Sequence, residues 1–303
     1  MDSGRLSSSA RGALYYMTGS ALAFSLMSLF VKAAGTRLPS QEIVVVRAMI
    51  SLVLSAAILA RQRISFRGNR PGLLVVRGLL GFGGLSCFFF AVTRLPLGAV
   101  TVLHYLHPIF TAVLAAFFLR ERADSRLVAA LILSLGGVFA ISRPAFLFGS
   151  EPGAAGLDPA GVAVAVVGAL FSAGAYVTVR KLSATENPHV IVFYFPLVAV
   201  PLSLPALAAD AVFPTPLEWA FLAAVGIFTQ IGQVMMTHGL RVESAGRAGA
   251  IAYVQVAFAA LWGVLFFGER PRISSAIGAA LILAGTLVVA RKPSAAPPDD
   301  GTT

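Results

Sequence analysis

The sequence is short of charge, of cysteine and of acids at membrane depth. Asp, Glu, Lys and Arg make up only 12% of its 303 residues, about half the roughly 25% of an ordinary soluble domain. Hydrophobic residues make up 57%. A globule of this length needs a polar coat that the chain cannot supply, which excludes a water-soluble enzyme, a disordered regulator and a secreted disulfide scaffold. The one cysteine, Cys87, lies inside an apolar run, so neither a disulfide nor a cysteine metal cluster is available. All thirteen acidic residues fall in connectors, in tails or at the ends of apolar runs. That argues against a proton relay or sodium site built on intramembrane carboxylates. The chain has no Gly-x-x-x-x-Gly-Lys-Ser/Thr loop for an ATP-driven pump. It also has no His-Glu-x-x-His pair and no paired carboxylates for an intramembrane hydrolase, and thus no metal or cofactor set.

What the chain does have is ten apolar runs, near 14–34, 43–60, 73–92, 97–119, 127–142, 160–179, 190–209, 217–240, 246–267 and 274–290. A run of about 18 apolar residues crosses the hydrocarbon core as a helix, because only a helix satisfies its own backbone there. The first run is longer than the 7–15-residue apolar core of a signal peptide and reads as a span. The formal net charge of +10 sits in short connectors rather than in a stripe, so it reads as a topology signal and not as a nucleic-acid surface. With the N-terminus cytoplasmic, fifteen of the 23 basic residues fall on the inside and five on the outside. Both termini are therefore expected in the cytoplasm, with the inner membrane as the location.

The chain also repeats itself at an offset of 148. Phe118-Leu119-Arg120-Glu121-Arg122 answers Phe266-Phe267-Gly268-Glu269-Arg270, and Gly98, Tyr105, Phe110 and Gly137 match Gly246, Tyr253, Phe258 and Gly285. Five spans per copy is an odd number, so the copies must lie inverted in the bilayer. Inverted repeats build secondary transporters, with a substrate site where the halves meet near the midplane. The expected fold is all-α and integral to the membrane: ten transmembrane helices as two inverted five-helix repeats. They divide as a tail at 1–11, a first repeat at 12–144, a connecting loop at 145–159, a second repeat at 160–291 and a disordered tail at 292–303.

The run Leu95-Pro96-Leu97-Gly98-Ala99, Pro108 and Phe117-Phe118-Leu119-Arg120-Glu121-Arg122, with its second copy from Gly246 to Arg270 and Gly278 to Gly285, resembles the EamA type of the drug/metabolite transporter superfamily. The resemblance covers roughly 12–291. It implies a small-metabolite carrier, often an exporter of amino acids or related compounds, as in the YddG-type exporters. One departure is that Val256 stands in the second copy where the first has Pro108.

Polar groups at membrane depth are functional candidates by default. His104, Tyr105, His107 and Pro108 form the densest cluster, in the fourth run. His104 and His107 share a helix face, and Pro108 leaves the His104 carbonyl without its helical donor. The matching positions in the second copy, Tyr253 and Gln255, meet Tyr105 and His107 if both helices line one cavity. Gln230 and Gln233 add a polar face to the eighth run. Arg47 and Arg77 each lie about one turn inside a helix, either to hold a substrate carboxylate or to snorkel to the headgroups. Trp262, with Phe24, Phe88, Phe89, Phe90, Phe171 and Tyr176, offers an apolar wall or plain packing. Pro196 and Pro201, with Pro205, are expected to kink the seventh span. Glu121 and Glu269 read as fasteners of their own turns through neighbouring arginines.

The reading that unites these residues is a secondary transporter of a small molecule, an amino acid or related zwitterion, with export favoured. Its partners are the substrate, the lipid bilayer and, through the histidines, protons as a candidate coupling ion. An uptake carrier for a nucleoside-like or sulfonium metabolite is the alternative. A non-transporting receptor or assembly subunit is the alternative of another class. No feature of the sequence sets the oligomeric state.

Overall fold

The computed structural model describes residues 3–142, 157–210, 212–268 and 273–290. The proline-rich tail, Glu269 and most of the 145–159 connector lie outside these. Among the described residues, twelve helices build ten candidate membrane spans. The first repeat holds α1 (Ser3–Ala34), α2 (Ser40–Arg61), α3 (Pro71–Arg94), α4 (Leu97–His104), α5 (His107–Phe118) and α6 (Ser125–Ser142). The second holds α7 (Pro159–Leu182), α8 (Pro188–Asp210), α9 (Pro216–Val242), α10 (Ala245–Ala252), α11 (Val254–Phe267) and α12 (Ile273–Ala290). The fourth span is α4 plus α5, and the ninth is α10 plus α11.

Local chemistry sets several ends. Proline opens α3, α7 and α9, where its missing N–H costs nothing. Asp158 caps α7 by accepting from the Ala160 and Gly161 N–H groups. Thr215 and Glu218 cap α9 reciprocally. Gly268 closes α11 at φ 62°, a left-handed conformation that a side chain resists. Pro196, Pro201 and Pro205 all lie within α8, which runs on through them as one helix.

The two halves do not fold side by side. Their helices interleave, and the main contacts come in symmetry-related pairs: α1 on α9 with α3 on α7, and α5 on α7 with α11 on α1. The pairs α2–α8 and α6–α12 complete the set. The 148-residue offset reappears atom by atom between α6 and α12. A Cβ on Gly137 would meet the Gly278 carbonyl at 2.5 Å and Ile282 at 2.7 Å. A Cβ on its copy, Gly285, would meet the Ser134 hydroxyl at 2.5 Å and the Ala130 carbonyl at 2.9 Å. Residues 130 and 134 are themselves the copies of 278 and 282. Small residues let these backbones touch, which is how helices associate where lipid is as apolar as leucine. Gly137→Val should therefore cost about 3 kcal/mol by overpacking against backbone that cannot yield. The neighbouring Gly136 faces open space, so Gly136→Ala should leave the melting temperature of the purified protein unchanged while Gly137→Val lowers it.

The face on which α1 begins, here the N-terminal face, is tied across the halves. Glu121 accepts from Arg180 Nε at 3.0 Å and from the Ala245 N–H at 2.8 Å. Arg180 Nη1 donates to the Leu240 and Arg241 carbonyls at 3.0 Å each. The expectation that Glu121 fastens its own turn through neighbouring arginines is corrected here: its partners belong to the other half. Buried Arg247 adds a second knot, with Glu243 at 3.4 Å, Asp124 at 3.6 Å and the Val289 carbonyl as partners. The opposite face carries Arg37 paired with Glu218 and Arg94 with Asp158.

Candidate functional site

The fourth and ninth spans break at copied positions. In the first half the helix stops at His104 and resumes at His107, leaving Tyr105 and Leu106 outside it. In the second half only Tyr253 interrupts. The longer break falls where Pro108 stands, and the shorter where Val256 replaces it, because proline cannot donate and forces the preceding turn open. The Ile109 N–H turns to Leu106 at 3.0 Å instead of Tyr105. The freed Tyr105 carbonyl accepts a bond of 2.7 Å from the Tyr253 hydroxyl. The two tyrosine rings stack with centroids 5.7 Å apart, so the pseudo-twofold relation of the halves is made by copies of one residue. Proline was expected to free the His104 carbonyl; the bond from the other half instead takes the next one along.

Around this point the rings gather. His104 and His107 lie 5.3 Å apart, Phe88 packs on His104 at 5.0 Å, and Tyr176 packs on His107 at 5.3 Å. His107 is buried and its Nδ1 has no partner among the described residues. Tyr176 stands within electrostatic reach of both Tyr105 and Arg77.

Arg77 does not snorkel. It is 2% exposed, its Nη2 donates to Gln233 Oε1 at 2.7 Å, and its guanidinium lies 5.1 Å from the centre of the Phe195 ring. Among the described residues its Nε has no partner and no carboxylate is within ion-pair distance. Gln230, one turn before Gln233, exchanges two bonds with Ser55 on α2, at 2.8 and 3.1 Å. The structure thus brings His104, Tyr105, His107 and Tyr253 into one cluster, and pairs Arg77 with Gln233, within electrostatic reach of it through Tyr176. Gln255 is half-buried and makes no side-chain hydrogen bond to a described residue, so the expected meeting with His107 is not seen.

Trp262 belongs elsewhere. Its Nε1 donates to Ser25 at 3.0 Å and forms the inner end of a cavity of about 210 Å³ between α1 and α11. Its wall toward the opposite face includes Ser28, Gly263, Lys32 and Phe267, with the Lys32 ammonium 4.1 Å from the Phe267 ring centre. Arg47 lies on α2, with Nη1 3.5 Å from Met27 Sδ. Sequence reasoning missed Ser55 and Phe195. Ser55 was visible as the continuation, at i+8, of a polar face begun by Arg47 and Ser51. Phe195, one aromatic among 22 phenylalanines, carried no such signal.

Inverted halves, two broken spans meeting at the centre and a buried basic and aromatic cluster beside them define a ten-span membrane transporter. The EamA-like transporter family matches residues 11–143 and 159–291, and the chain belongs to that family. It is 33% identical over 269 residues to the pseudopaline exporter CntI of Pseudomonas aeruginosa, covering 88% of this chain and 92% of that one. Human solute carrier family 35 member G1 is 27% identical over 285 residues (90% and 77%), and the S-adenosylmethionine uptake transporter of Rickettsia bellii is 26% identical over 260 (85% and 86%). A solved crystal structure of 21% identity superposes with a TM-score of 0.75, over 89% of this chain and 96% of its own. The family and the three named relatives are membrane transporters, not enzymes.

Proposed function

We propose that this protein is a secondary carrier that exports an amino acid or a related carboxylate-bearing zwitterion across the inner membrane by alternating access. The observation that carries the reading is Arg77: a buried guanidinium whose Nε has no partner and which pairs with no carboxylate among the described residues, within electrostatic reach of Tyr176, which itself packs on His107. A buried cation left without an anion is costly, and a planar donor fork matches a carboxylate. The histidines, tyrosines and Gln233 then supply donors and acceptors for the ammonium end and side chain of the substrate. With both termini cytoplasmic, the Glu121–Arg180 tie closes the cytoplasmic face, and the Trp262 cavity opens outward. The name of the Pseudomonas relative supports export.

The runner-up, uptake of a nucleoside-like or sulfonium metabolite, draws on the Rickettsia relative and on the rings around His104. Arg77 weighs against a substrate whose defining group is a cation. Liposomes containing the purified full chain, loaded with each radiolabelled proteinogenic amino acid in turn, should release at least one without ATP. No flux of any of them would overturn the amino acid reading. An imposed pH gradient should alter the rate if His104 and His107 couple protons, and an indifferent rate leaves facilitated diffusion.

A further inference from the structure

A polar stripe follows the seam where α2 packs on α9, with Ile50 seated over Gly226. On α2 it comprises Arg47, Ser51 and Ser55, at i, i+4 and i+8 and so on one face. On α9 it comprises Thr229, Gln230 and Gln233. One end is satisfied, through Ser55–Gln230 and Gln233–Arg77. The other end is not. Arg47 Nε, Ser51 Oγ and Thr229 Oγ1 are all buried without a partner among the described residues. Arg47 reaches only a thioether sulfur, a weak acceptor. Glu42, on the same helix, is turned to the Val212 N–H at 3.0 Å instead. Three unmet polar groups along one seam are unfavourable unless a polar ligand satisfies them.

We propose that Arg47 and Ser51 form a second anion subsite, which takes the substrate carboxylate on the far side of the midplane from Arg77. This rests on the carrier reading above. Arg47 lies seven residues along α2 from the opposite face and Arg77 six residues along α3 from the N-terminal face. At 1.5 Å per residue these are depths of about 10 and 9 Å from opposite sides. The stripe from Arg47 to Ser55 alone spans about 12 Å, too far for one amino acid to touch both arginines with one carboxylate. The two subsites are therefore occupied in turn. The Ser55–Gln230 and Gln233 groups form the polar path between them, so the carboxylate passes without full desolvation.

The test reads access rather than transport. In the full chain with Cys87→Ala, S51C is treated in membrane vesicles with an anionic methanethiosulfonate ethylsulfonate reagent and with a neutral analogue of similar size. S51C should label, and adding Arg47→Gln should slow the anionic reagent about tenfold, as loss of a focusing charge does, while changing the neutral one little. V53C, on the lipid-facing side of the same helix and 66% exposed, should stay unlabelled by the anionic reagent. If S51C is inert to both reagents, or labels equally with and without Arg47, the subsite does not exist. Amino acid flux with no labelling would sink the subsite and leave the carrier reading standing. Arg47-dependent labelling with no amino acid flux would do the reverse.

Discussion

Arg77→Gln should lower amino acid flux in proteoliposomes about 100-fold at subsaturating substrate, equivalent to about 3 kcal/mol, because it removes the buried charge that would face the carboxylate. Folded yield and melting temperature should hold. A guanidinium without an anion is a burden on the folded state, and a neutral side chain relieves it. Arg77→Lys should recover part of the loss through KM, since a point charge keeps the attraction but not the planar fork. Unchanged flux in Arg77→Gln would show that the guanidinium serves packing against Phe195 alone.

The second expected result concerns the tie on the N-terminal face. Arg180 joins the α5–α6 connector, α7 and the end of α9 through one guanidinium, with Glu121 and two carbonyls each at 3.0 Å. Charge-assisted bonds of this kind are stronger than neutral ones. The arginine side chain is 25% exposed and that of Glu121 18%, so solvent screens part of the attraction. Losing about 1.4 kcal/mol in the closed state shifts the population of the open state tenfold. Thr237, fully buried, sits five residues in from the end of α9, one turn from Gln233. With Cys87→Ala as background, T237C should react about tenfold faster with a thiol reagent applied from the N-terminal face once Arg180→Ala is added. The same rate with and without Arg180 would mean that the tie fastens the fold and does not govern access.

Much of this molecule was readable one residue at a time. Ten spans followed from run length, because the bilayer demands a helix of set length. Inversion followed from an odd number of spans between Glu121 and its copy, a matter of parity rather than of packing. The Tyr105–Tyr253 match was likewise in the sequence, and the two residues stack. The partners of Glu121 were not readable. Arg120 and Arg122 flank it, yet Arg180, 59 positions away, takes the carboxylate. Arginines look alike in sequence, and only the interleaving of the halves brings one of them near.

Membrane solvent has one answer to backbone polarity, so span count, inversion of the repeat and membership in a transporter family were decided by the amino acids alone. Which buried polar groups find each other was decided by the tertiary structure. Arg77 and Arg47 have the same sequence signature, a lone cation inside an apolar run. One turns inward to Gln233 and a phenylalanine ring, the other to a methionine sulfur. That difference comes from neighbours on other helices, whose distance along the chain carries no trace of their distance in space.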